Sequence, residues 1–100
     1  MFILGYLDEM LQEEYENLVV RDVYTTKLGD TDVEIVEVST NDRRFIAMFQ
    51  SRPLKEGIFK WSLIITSPNN TRTLKGMDPV SGIKLALKSS IEAMMRGMEK

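Results

Sequence analysis

Between residues 19 and 66 the chain is written as β-rich runs separated by short polar breaks, and this alternation constrains the fold more than any other feature. Residues 19–28 are β-branched at Val19, Val20, Val23, Thr25 and Thr26, and read as a strand. Gly29-Asp30 makes a turn, residues 33–38 a second strand, and residues 39–42 a second turn. Residues 43–50 carry Phe45, Ile46, Ala47, Met48 and Phe49 and form a third strand. Residues 51–57 read as a loop anchored by Pro53, and residues 58–66 as a fourth strand around Trp61. Ser67-Pro68-Asn69-Asn70 is a turn signal, after which residues 71–75 can return as a short edge strand. Connections this short favour antiparallel neighbours, so the expectation is a four-stranded antiparallel meander.

Helical periodicity flanks the strands. Leu4, Leu7, Leu11, Tyr15 and Leu18 share one face, with Met10 beside them, while Asp8, Glu9, Gln12, Glu13 and Glu16 take the other. This is an amphipathic helix with an acidic outer surface. At the other end Asp78 is placed to cap a helix and Pro79 to occupy its first position. Val80, Ile83, Leu87, Ile91, Met94 and Met98 follow in one stripe. A second stripe is small: Gly82, Ala86, Ser90, Ala93 and Gly97. It suits a helix pressed onto its own sheet, or alternatively the seam of a homodimer. Lys84, Lys88, Glu92 and Arg96 lie opposite, in register for weak surface pairs. The expected architecture is α+β, α-β-β-β-β-α, with both helices on one face of the sheet and residues 1–100 as a single domain.

Several chemistries are excluded by what the sequence lacks. With no cysteine and no histidine, disulfides, thiolate catalysis, the usual imidazole base and the usual zinc ligands are all missing. No run approaches the roughly 18 apolar residues of a membrane span. The stretch Met1-Phe2-Ile3-Leu4-Gly5-Tyr6-Leu7 is apolar, but acid follows at once and no basic segment precedes it. It is not expected to be a signal peptide, and a cytoplasmic location follows as the default. Asn69-Asn70-Thr71 matches a glycosylation sequon, read here as a polar turn. Asp30, Asp32 and Glu34 alternate as ligands for a hard cation would, but lack the glycine and glutamate of a calcium loop and are expected to be solvated. Ser81 and Lys84 have the S-x-x-K spacing of some acyl-transfer enzymes without the companion motifs. No phosphate-cradling or dinucleotide-binding glycine string occurs, so no enzyme, metal or cofactor function is expected.

Charge is sorted along the chain. Residues 1–42 hold eleven acids against two bases, a net of −9, and residues 43–100 hold eleven bases against four acids, a net of +7. Such asymmetry points to interaction. Arg43, Arg44, Lys60 and Arg72, interleaved with Phe45, Phe49, Phe59 and Trp61, form a candidate nucleic-acid surface over residues 43–75. The order helix, strands, helix resembles the double-stranded-RNA-binding domain. That family opens its last helix with phosphate-binding lysines, where this chain has Asp78-Pro79-Val80-Ser81-Gly82; an aspartate there competes with phosphate for the helix amides.

A second resemblance rests on Arg52-Pro53, Trp61-Ser62-Leu63-Ile64-Ile65 and the stretch Lys75-Gly76-Met77-Asp78-Pro79-Val80-Ser81-Gly82-Ile83-Lys84-Leu85-Ala86-Leu87. Together these are similar to small uncharacterised bacterial domains whose last helix opens with G-x-D-x-x-x-[AG]-[LI]-x-L-A-[LI]. The resemblance covers about the last half of the chain and implies an α+β fold without implying an activity. The leading expectation is a small non-enzymatic interaction module of inhibitor, immunity, adaptor or mobile-element accessory type. Its protein partner is expected to meet Glu9, Glu13 and Glu16 on the acidic helix, with Leu85 and Met95 as a further contact. Nucleic-acid binding through the basic strands is the alternative, and self-association through the opposite charges a third.

Overall fold

In a computed structural model, residues 7–12, 15, 17–41 and 43–97 are described. They form α1 (Leu7–Gln12), β1 (Val19–Leu28), β2 (Thr31–Ser39), β3 (Arg44–Lys55), β4 (Ile58–Ser67), β5 (Asn70–Asp78) and α2 (Val80–Gly97). The expectations placed on Leu4, Glu13, Glu16 and Met98 lie outside the described residues.

The strands pair in chain order as one antiparallel five-stranded sheet, β1-β2-β3-β4-β5. The meander is therefore as expected, with five strands instead of four. The extra strand is residues 70–78, longer than the edge return expected there. Its sequence is polar because six of its nine residues are exposed, and its pairing comes from the tight turn that joins Ser67 to Asn70. Gly29, at φ +64°, supplies the left-handed backbone of the turn between Leu28 and its partner Thr31.

The loop expected over residues 51–57 is instead the end of β3. Pro53 pairs with Phe59, and the register shifts between Pro53 and Lys55. Proline is tolerated because β2 ends opposite Ser51, where Asp32 is the last partner. Past that point no described strand pairs with β3 on that side to miss its N–H.

Strand alternation divides the sheet into a covered and an open face. Phe45, Ala47 and Phe49 of β3 and Trp61, Leu63 and Ile65 of β4 point to the covered face and are buried. Against them lie Ile83, Leu87, Ile91, Met94 and Met95 of α2 and Leu7 and Leu11 of α1. At about 1.5–3 kcal/mol per fully buried large apolar side chain, this layer dominates the stability of the fold.

The start of α2 differs from the sequence reading. Asp78 ends β5, and its Oδ2 accepts a hydrogen bond from Trp61 Nε1–H at 2.8 Å. The first helical carbonyl is that of Pro79, which accepts from the Ile83 N–H at 3.1 Å. The carboxylate is drawn to the indole because Gly76, the partner of Trp61, leaves room for it. A Cβ at Gly76 would lie 2.7 Å from Asp78 Oδ2 and 3.1 Å from Trp61 Nε1. In the small-residue stripe, Gly82 packs over the Asp78 side chain, and the buried Ser90 hydroxyl donates to the Ala86 carbonyl at 2.8 Å. No helix among the described residues is long and apolar enough to cross a membrane.

Candidate interaction surface

The residues singled out from sequence do not gather in one place. Glu9 is exposed on the short α1, and Leu85 stands 69% exposed on the outer side of α2. Met95 is 1% exposed and belongs to the core, so it is no surface contact. The reason is rotation: ten residues at about 100° each leave Leu85 and Met95 some 80° apart around the helix. Arg44 and Lys60 lie on the open face of the sheet, while Arg72 shares a face with Ile65 on the covered side. Arg43 is half-buried in the β2–β3 turn, where the Thr40 N–H donates to its carbonyl at 2.8 Å. Phe45, Phe49 and Trp61 are buried and Phe59 packs beside them, so none of the four aromatics is presented for base stacking. Phe49 and Trp61 stack on each other instead, with ring centres 6.1 Å apart.

The acidic triplet also departs from expectation. Asp30 is exposed in the turn, but Asp32 and Glu34 are buried, at 7% and 3% exposure, because their partners are Ser51 and Phe49 on the covered face. Lys27 Nζ approaches Asp32 Oδ1 to 3.9 Å. No group of three potential metal ligands comes together among the described residues.

What the register does assemble is the open face. One row crosses all five strands as Tyr24, Ile35, Met48, Ile64 and Thr73. Tyr24 and Ile64 are 56% and 39% exposed, and Ile35 and Met48 are half-buried between them. Tyr24 reaches this face through a bulge: the register shifts between Asp22 and Tyr24, turning the residues after Val23 over. Asp22 and Thr25 then both point to the covered side, where the Thr25 hydroxyl donates to Asp22 Oδ1 at 2.8 Å.

Cations flank this row at both ends of the strands. On one side Glu37 is held by Arg21 at 3.3 Å and Arg44 at 3.8 Å. On the other, successive rows bring Arg52 opposite Lys60, and Ser62 opposite Lys75. Among the described residues, Arg52, Lys60 and Lys75 make no ion pair. With Thr31, Gln50 and Ser62 they line an open recess of about 230 Å³. Among the described strand residues Glu37 is the single acid on this face, and it is already doubly paired. The face is thus apolar along its middle and positive at its margins.

Sequence reading missed this surface because its residues come from five separate strands, each ordinary alone. The signal was present in the alternate positions of β3, Arg44, Ile46, Met48, Gln50 and Arg52, where an outward-facing set is apolar in the middle and charged at its ends. Neither family models, nor curated proteins, nor solved structures give a match to this chain.

Proposed function

We propose that the chain is a non-enzymatic protein-interaction module that docks an acidic, amphipathic segment of a partner protein on the open face of its sheet. The observation carrying this reading is the row Tyr24–Ile35–Met48–Ile64, which no described element covers and which is bordered by Arg52, Lys60 and Lys75, cations without an ion pair among the described residues. A contiguous exposed apolar patch rimmed by polar residues is a mark of an interaction site. Complementary charge speeds encounter and selects partners, while the apolar row supplies the burial. The acidic α1 and Leu85 lie on the other side of the sheet and are not needed for it.

Nucleic acid is the competing occupant, since the same cations would neutralise phosphodiesters. It is disfavoured because Phe45, Phe49, Phe59 and Trp61 are spent in the core, Tyr24 is the one aromatic of the row, and the centre of the face is otherwise aliphatic. To test the reading, peptides are selected from a random library on the wild-type chain and compared on Ile64→Glu. Enriched peptides should combine acidic with apolar residues and bind the variant at least about tenfold more weakly, the loss that about 1.4 kcal/mol represents. Peptides that are neutral or basic, or that bind both proteins equally, contradict it. So does tighter, strongly salt-dependent binding of single-stranded RNA.

A further inference from the structure

We infer that the recess between Thr31, Gln50, Arg52, Lys60, Ser62 and Lys75 is a binding site for a phosphate monoester dianion. The inference deepens the docking reading, because it specifies what the partner presents at this end of the face. Three features carry it. Arg52 and Lys60 face each other as direct cross-strand partners, an arrangement that costs stability when like charges are left without a counter-ion. Lys75 enters one row further along, opposite Ser62. Two hydroxyls, Thr31 and Ser62, and the Gln50 amide line the same recess and add neutral donors.

The donor set suits phosphate better than carboxylate. A phosphate monoester carries about −1.5 to −2 charges at neutral pH on three acceptor oxygens. Three cations, one of them a forked guanidinium, match that number of acceptor oxygens, and a dianion offsets most of their charge, whereas a lone carboxylate would leave two of them uncompensated. The recess also has a fixed relation to the apolar row. Arg52 lies four positions beyond Met48, about 13 Å along the strand. An extended partner strand covers that distance in about four residues, so its phosphorylated side chain would lie about four positions from its apolar anchor.

The test is amide NMR titration with O-phosphoserine and, separately, inorganic sulfate, at constant ionic strength. Phosphoserine should shift Thr31, Gln50, Ser62 and Lys75. Its affinity should fall about tenfold between about pH 7 and about pH 5, because the dianion fraction falls by that factor around a second pKa near 6. Sulfate should bind without that pH dependence, since the chain has no histidine to titrate in this range. Lys60→Gln and Arg52→Gln should each lose the phosphoserine shifts while keeping the rest of the spectrum, and Lys88→Gln should not. Phosphoserine affinity equal at both pH values, or shifts spread over Lys84, Lys88 and Arg96, overturns the site.

A phosphoserine peptide with an apolar residue four positions away separates the sources. Tighter binding than the free amino acid assigns the phosphoryl group to a protein partner, and equal binding assigns it to a small phosphate ester; both uphold the site. Acidic peptides that bind the Ile64 row while phosphoserine leaves the recess untouched overturn the phosphate site and leave the docking reading intact. Phosphoserine in the recess without any peptide on the row does the reverse.

Discussion

On the covered face Phe49 stands between Glu34 and Leu63 beneath α2; one residue earlier on β3, Met48 stands between Ile35 and Ile64 with no helix or strand above it among the described residues. The strands are the same, and only the parity differs. On the first side large side chains interdigitate with a helix and exclude water. On the second, comparable apolar residues remain partly wet and cations border them, with little sign that the fold needs either. Residues that stabilise and residues that are available to bind are thus separated by a single step along each strand.

Core truncation should break the contrast most visibly. Phe49→Ala removes a fully buried ring stacked on Trp61 and should cost about 3–5 kcal/mol in chemical denaturation, whereas Met48→Ala on the open face should cost about 1 kcal/mol or less. Equal losses would mean that the open face is part of the core.

A smaller effect is expected at Gly76. Its replacement by alanine forces a Cβ into the Trp61–Asp78 hydrogen bond, 2.7 Å from the carboxylate oxygen. The expected loss is about 1–3 kcal/mol, with a shift in Trp61 fluorescence as the indole loses its acceptor. An unchanged emission spectrum would show that the indole and Asp78 are not paired in solution.

The smallest effect has the opposite sign. Lys60→Glu converts the Arg52–Lys60 like-charge pair into an opposite-charge pair and should stabilise the fold by about 0.2–1 kcal/mol while removing binding at the recess. A gain in stability with a loss of binding is the signature of residues kept for function. Loss of stability instead would make Lys60 structural.

The sequence carried the architecture further than the surface. Turn residues and β-branched runs located β1 to β4, and the apolar stripe located α2, because both signals are local. β5 was underestimated, since a solvated edge strand such as residues 70–78 has no apolar alternation to reveal it. Pro53 concealed the end of β3, because its tolerance depends on where β2 stops. Asp32 and Glu34 looked solvated, yet the register turns them inward. The open face was illegible for a related reason: which alternate set faces a helix is decided by packing between elements, and the bulge after Asp22 reverses parity within β1 itself. The charge split along the chain resolves in the same way. The bases do not form one block, because Arg44, Arg52, Lys60 and Lys75 gather on the open face while Arg72 and the lysines of α2 do not.

The most direct measurement compares Ile64→Glu with Leu85→Glu, both at exposed apolar positions, for stability and for binding of the selected acidic peptides. Both variants should unfold within about 1 kcal/mol of the wild type, as surface changes do. Ile64→Glu should abolish peptide binding and Leu85→Glu should leave it unchanged. Binding that survives Ile64→Glu and is lost in Leu85→Glu would place the interaction on the helix and contradict the account.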